Sequence, residues 1–214
     1  MNVAELALPL LASYTPKHIE VELVEDYFDD LDFNHSAEVI AISAQIMQLK
    51  RATEIADEFR KKGKIVVIGG FLPTMHPEAV IDHVDALCIG EGDEVWPQML
   101  QDIENDCLKK TYKAEKQIKL STMPVPRYDL IKKDRFVLYP IQATRGCPFT
   151  CEYCSIIQFF ENTYRYRPTD DIIRDIKAAN HKYIHFTDDN LMENTKFAKE
   201  LFTKMKGMNL IWGS

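Results

Sequence analysis

Apolar and polar positions alternate along this chain in two rhythms. Short apolar runs, Val39–Ile42 within Glu38–Ser43, Lys64–Ile68 and Ala86–Ile89, read as strands of a sheet buried on both faces. Val21–Val24 reads as a further strand. Between these runs the spacing becomes helical. Ala52, Ile55, Ala56 and Phe59 share one face of a helix over residues 46–61, and Gly63 stops it. Pro77 opens a short helical piece, and Gly90–Glu94 leads into a helix that ends near Glu104. After residue 135 the rhythm resumes. Residues 136–142 read as a strand, and Thr169 caps a helix whose Ile172, Ile176 and Ala179 share a face. Lys182–Thr187 is a strand and residues 195–206 a helix carrying Phe197, Leu201 and Met205. A strand then begins at Leu210. Strands alternating with helices predict an α/β chain built on parallel sheets.

The interval between the two series is different in kind. Residues 111–135 are rich in lysine and then carry Pro124 and Pro126. They divide the chain into a module at 1–110, a connection at 111–135 and a module at 136–214. With 46% apolar residues in 214, each module has enough material for a core.

Charge and composition narrow the function. The 33 acidic residues outnumber the 26 basic ones, for a net charge of -7, which argues against nucleic acid as a partner. No apolar run approaches the roughly 18 residues of a membrane span. Residues 1–11 lack the basic start and cleavage site of a signal peptide, so a cytoplasmic setting is expected. Cys88 lies in the apolar run Ala86–Ile89, where a cysteine behaves as a small hydrophobe, and Cys107 stands alone.

The other three cysteines fall in Ala143-Thr-Arg-Gly-Cys147-Pro-Phe-Thr-Cys151-Glu-Tyr-Cys154. Clustered thiols in a chain without a secretory signal point to metal or redox chemistry. Gly146 and Pro148 discourage a helix, so this backbone is free to wind around a compact object. A cubane of four irons is commonly held by four cysteines, so three leave one iron open. Zinc competes with a cluster, because Cys151 and Cys154 are followed by His181 and His185. Two features oppose it. The pairs are separated by 26 residues, whereas zinc fingers use about 12 to 15. The two histidines also flank a strand that sets them about 13 Å apart. A redox disulfide between Cys151 and Cys154 competes as well, and so does a chemically idle triad.

The C-x3-C-x2-C spacing, with Tyr153 before the last cysteine, resembles the radical S-adenosylmethionine (SAM) superfamily. Pro124–Leu130, Gln142–Phe149, Tyr166–Pro168 and Phe186–Asn190 are similar to its subfamily with an N-terminal domain of cobalamin-binding type. So are Val67–Gly70 and Ile89–Glu94 in the first module. The resemblance implies a Rossmann-like parallel sheet followed by the first half of a partial (β/α)6 barrel. It implies that Cys147, Cys151 and Cys154 hold a 4Fe-4S cluster whose open iron binds SAM. It implies cofactor contacts from Tyr153, at the adenine, and from Asp188 and Asp189, at the carboxyl end of a strand; capping of the next helix is the competing role for the two aspartates. Arg145 and the Tyr164–Arg167 stretch read as solvated loop charges, with pairing of a guanidinium to a carboxylate of cofactor or substrate as the competing role.

The chain departs from this pattern in two ways. The cobalamin signature D-x-H-x-x-G is absent, and His35 does not supply it, which argues against bound cobalamin. The first strand of the family's N-terminal domain would precede about residue 9, and three further barrel units would follow Ser214, so the sequence reads as truncated at both ends. The expected activity is reductive cleavage of SAM for methyl transfer, cyclisation or hydrogen abstraction on an unknown substrate, with an electron donor such as flavodoxin or ferredoxin. The competing reading is a non-catalytic iron–sulfur-binding fragment. A methylthiotransferase is a weaker candidate, since those proteins carry a second cysteine triad. A nicotinamide enzyme is disfavoured because Val95 stands where the third glycine of G-x-G-x-x-G is needed.

Overall fold

The computed structural model describes residues 2–214. Along the chain run α1 (Ala7–Tyr14), β1 (Val39–Ser43), α2 (Leu49–Lys61), β2 (Ile65–Gly69), α3 (Phe71–Met75), β3 (Ala86–Ile89), α4 (Gly92–Glu104) and β4 (Thr111–Lys113). There follow β5 (Tyr139–Ile141), β6 (Thr144–Gly146), α5 (Ser155–Phe159), β7 (Tyr164–Tyr166), α6 (Thr169–Ala179), β8 (Tyr183–Phe186), α7 (Thr195–Met205) and β9 (Ile211–Gly213). The chain forms two compact units. One is Tyr14–Ile118; the other joins the segment up to Ser13 to Lys119–Ser214.

In the Tyr14–Ile118 unit, four parallel strands lie in the order β1-β2-β3-β4. Alternate residues of β2 serve opposite faces. Val66 and Ile68 join Leu87, Leu72, Val80 and the buried stripe Ala52, Ile55, Ala56 and Phe59 of α2. Val67 joins Ala86 and the α4 residues Val95 and Met99 on the other face. Two buried faces explain why β2 is a continuous apolar run. Glycine ends α2 as the sequence predicts, with Gly63 at φ +76°. Val21–Val24 differs from expectation. It belongs to no strand, and β1 pairs only with β2 among the described strands. Thr111–Lys113, within the lysine-rich stretch, supplies the fourth strand and buries Tyr112. Tyr112 donates its hydroxyl to Asp102 at 2.7 Å.

In the second unit, β5, β8 and β9 form a parallel sheet in that order. The N-terminal segment adds a parallel bridge from Val3 to Leu138. Tyr139, Ile141, Ile184 and Phe186 are buried on the sheet, and Ile172, Ile176, Ala179 and Leu201 are buried on α6 and α7. Leu120, Met123, Tyr128 and Ile131 are buried in the same unit. Tyr128 stacks on Tyr139 and donates to the Pro140 carbonyl at 3.1 Å. Thr169 is not a cap. It is the first residue of α6, with Pro168 before it, and its hydroxyl donates to Glu200 and accepts from Lys204. The side-chain oxygen is therefore turned toward α7 instead of toward its own helix.

Two arginines that read as solvated charges are buried instead. Arg145 is 5% exposed and Arg167 2%. Arg167 pairs with the fully buried Asp175 of α6 at 2.6 Å and donates to the Gln142 carbonyl at 3.0 Å. Arg145 donates to the Gln142 side chain at 3.0 Å. Both lie on or beside the antiparallel ribbon β6–β7, which the hydrophobic pattern does not announce and which brings them inward. Removing one partner of a buried pair leaves an uncompensated charge. Arg167→Leu is expected to cost about 3 kcal/mol, the low end of the range, because Arg174 also reaches Asp175 at 3.1 Å. The Arg167→Leu, Asp175→Leu double variant should cost less than the single one. Urea denaturation of the three proteins checks both statements.

Candidate metal centre

The cysteine loop leaves β6 at Gly146. Its φ is +82°, and a Cβ there would stand 2.0 Å from the Thr163 carbonyl oxygen. Only glycine fits where this strand passes β7 so closely. Cys147 follows at once, half-buried; Cys151 is exposed; Cys154, half-buried, directly precedes α5. The Cys154 N–H donates to the Cys151 carbonyl at 3.0 Å, which folds the last two cysteines into one turn. Phe149 and Tyr153 project from the same loop, Tyr153 at 92% exposure.

The segment after β8 runs alongside this loop and bonds to it repeatedly. Thr187 N–H donates to the Ile141 carbonyl at 2.9 Å. The Asp188 carboxylate accepts from Ala143 N–H at 3.0 Å, from Thr144 N–H, and from the Thr144 hydroxyl at 2.7 Å. Asp189 accepts from Gly146 N–H. Asn190 donates from Nδ2 to Cys147 Sγ at 3.7 Å, and its carbonyl accepts from the Tyr164 hydroxyl. Helix α7 is capped by Asn194, whose side chain accepts from Phe197 N–H at 3.1 Å, so neither aspartate is its cap. Sequence reasoning missed Asn190 and Tyr164. The signal was present in the unbroken polar run Asp188-Asp189-Asn190 at a strand end.

Burial pushes the Asp188 carboxyl up to about 6, against the opposing pull of its hydrogen bonds from Thr144 and Ala143. Tyr164 is pushed up as well, first by burial. His181 stacks on Tyr139 at 4.3 Å, and His185 lies in β8.

Residues 19–126, just over half of the chain, match the family described as radical SAM proteins, N-terminal. The chain belongs to the radical SAM proteins. It is 32% identical to the bacteriochlorophyllide d C-8(2)-methyltransferase of Chlorobaculum tepidum over 95% of this chain and 43% of that protein. It is 29% identical to the C-12(1)-methyltransferase of the same organism, over 98% of this chain and 49% of that protein. The radical SAM chain thus spans less than half the length of these curated relatives. Among solved structures it shares a fold with the radical SAM methyltransferase TsrM from Kitasatospora setae, bound to tryptophan and a SAM analogue. The TM-score is 0.63 at 16% identity, over 80% of this chain and 40% of that one. TsrM has also been solved with cobalamin and a [4Fe-4S] cluster bound, and that form matches with a TM-score of 0.60.

Membership implies SAM and a 4Fe-4S cluster. The donor set of the radical SAM chain fits the cluster in kind, with three thiols on one glycine-initiated loop. Among the described residues no three His, Cys, Asp or Glu side chains meet closely enough for a single metal ion. A cubane binds each thiolate through a different iron, so its ligands surround it and do not converge on one point. Each imidazole of the Tyr14–Ile118 unit faces a carboxylate: His18–Glu104 at 2.7 Å, His35–Glu22 at 3.1 Å, His76–Glu78 at 3.5 Å and His83–Asp57 at 2.9 Å. Among the described residues no helix is long and apolar enough to cross a membrane.

Two outcomes follow for the loop. Gly146→Ala should cost more than the roughly 1–2 kcal/mol of a left-handed L-residue, because of the Thr163 carbonyl. Gly63→Ala, with φ +76° and nothing within 4 Å of its Cβ, should cost only that much; urea midpoints compare them. For Asp188, an unfolded carboxyl titrates near 3.9. Between about pH 4 and pH 6 the native state therefore holds more protons than the unfolded one, and stability falls as pH rises through that window. Asp188→Asn removes the titration. Relative to the native chain, it should gain about 2 kcal/mol on going from pH 4.5 to pH 7. Urea denaturation at the two pH values checks the sign.

Proposed function

We propose that this chain holds a 4Fe-4S cluster through Cys147, Cys151 and Cys154 and cleaves SAM reductively in the service of methyl transfer. The observation that carries this reading is the C-x3-C-x2-C loop, fixed at its root by Gly146 and bonded along one side to Thr187–Asn190. Methyl transfer is favoured over cyclisation or hydrogen abstraction because the relatives named above are methyltransferases. A bound, reduced cluster would supply the electron that breaks the carbon–sulfur bond between methionine and the 5'-deoxyadenosyl group of SAM; methionine keeps its methyl group in that cleavage, so the methyl group transferred would come from a second SAM molecule.

The chain's own residues then divide the remaining tasks. Tyr153 is open on the loop and offers a flat face to adenine. Asp189 is exposed and retains lone pairs after accepting from Gly146, so it is the better placed of the two aspartates to meet the SAM amino group. Asp188 already takes three donors from residues 143–144, and its first role is to hold that backbone. The substrate and an electron donor of flavodoxin or ferredoxin type complete the reading. The chain lacks the D-x-H-x-x-G signature of a histidine ligand to cobalt, so cobalamin has no assigned step.

Anaerobic reconstitution with iron and sulfide, followed by reduction and addition of SAM, tests the reading. The native chain is expected to bind about four irons and to form 5'-deoxyadenosine. The Cys147→Ala, Cys151→Ala, Cys154→Ala variant should do neither. Uptake of zinc without a cluster would overturn the reading. A cluster without 5'-deoxyadenosine would put a non-catalytic iron–sulfur module in its place.

A further inference from the structure

Asn190 hydrogen-bonds a triad sulfur from outside the loop: its Nδ2 lies 3.7 Å from Cys147 Sγ. That distance suits an N–H donor on sulfur, which is a larger atom than oxygen. The placement does not depend on the Asn190 rotamer alone. Its backbone carbonyl is held by the Tyr164 hydroxyl from β7, and the three residues before it are each bonded to the chain between Ile141 and Gly146. Tyr164 is also paired with Gly146 in the β6–β7 ribbon, so both ends of the contact start from one piece of backbone. Capping does not account for Asn190, since Asn194 performs that role for α7.

We propose that Asn190 is a positioning residue that donates its amide N–H to the Cys147 sulfur when that sulfur is a cluster thiolate, and thereby raises the cluster's reduction potential. The inference rests on the reading of the triad as cluster ligands. The physical reason is charge. Reduction adds an electron to the cluster and its sulfurs, so a donor on one of those sulfurs stabilises the reduced form more than the oxidised form. Hydrogen bonds behind metal ligands are a general means of setting both orientation and potential. An amide suits the task because it donates without carrying charge and does not titrate in the working range of pH.

The experiment compares native chain, Asn190→Leu and Asn190→Asp, each reconstituted anaerobically with iron and sulfide. Iron per chain reports loading. A potentiometric titration followed by electron paramagnetic resonance reports the potential without any turnover. Leucine removes the donor at similar volume; aspartate keeps the shape, has no N–H and adds negative charge. The expected result is equal iron in all three and a more negative potential in both variants, with aspartate furthest. The reduction equilibrium should move several-fold toward the oxidised form, where tenfold is about 59 mV for one electron. Should Asn190→Leu fail to fold, Asn190→Ala, which also lacks the donor and adds no charge, decides in its place. Equal iron with unchanged potentials overturns the inference and leaves the cluster reading intact. A native chain that takes up no cluster overturns both.

Discussion

The Asp188 carboxylate on the amides of Ala143 and Thr144 is the contact on which the arrangement around the cysteines depends. Strand β5 ends at Ile141, and the chain turns out of the sheet before β6 begins at Thr144. Over that turn the backbone is buried and loses its strand partners, yet each amide still needs an acceptor. A buried donor left unmet costs about 1–3 kcal/mol. Asp188 meets two of them and the Thr144 hydroxyl besides. The carboxylate sits just beyond β8, the neighbour of β5, so parallel pairing delivers it to the right place. Sheet topology and loop geometry are joined through one side chain.

A second constraint works from the opposite side. Arg167 follows β7 and is held between the Gln142 carbonyl and Asp175 of α6. Its own N–H donates to the Ala143 carbonyl at 2.9 Å. Residues 142–144 are thus gripped by an aspartate after β8 and an arginine after β7. Burying a charged pair is weak support for stability in itself, but the pair fixes geometry, because an unpaired member is strongly disfavoured in the interior. The glycine at 146 adds close approach of β6 to the Thr163 carbonyl. The root of the cysteine loop is specified by polar contacts and sterics more than by apolar packing.

That balance explains what was legible in the sequence. Elements with an apolar period were plain: the stripe Ala52, Ile55, Ala56, Phe59, the run Ile65–Ile68, and the face Ile172, Ile176, Ala179 all occur as the spacing predicts. The cysteine triad was plain because thiols at such intervals have few other uses. The ribbon β6–β7 was hidden, since Thr144-Arg-Gly and Tyr164-Arg-Tyr have no apolar alternation and pair across an intervening loop. Burial of Arg145 and Arg167 was hidden for the same reason: a charge reads as solvated until its surroundings are known, and the Arg167 partner, Asp175, lies on a separate element eight residues on. Val21–Val24 misled in the opposite direction. Its apolar residues suit a strand, but strand formation needs an edge to pair with, which a local pattern does not contain.

The three polar residues after β8 show how adjacent side chains come to serve different ends. A strand alternates its faces, and an extended continuation does the same for a residue or two. Asp188 turns in toward residues 143–144, where burial raises its carboxyl to about 6, and Asp189 accepts from Gly146 while staying exposed. Asn190 reaches the sulfur of the next residue along, Cys147. The order of contacts on one segment, 188 to 143–144, 189 to 146 and 190 to 147, follows the order of residues on the other. Two carboxylates and an amide are therefore not interchangeable along this run. An acceptor is required opposite backbone N–H groups, whereas only a donor is compatible with a thiolate. An aspartate at 190 would place like charges together, and an asparagine at 188 would weaken the hold on the turn. The sequence Asp-Asp-Asn is the one that satisfies both partners in register.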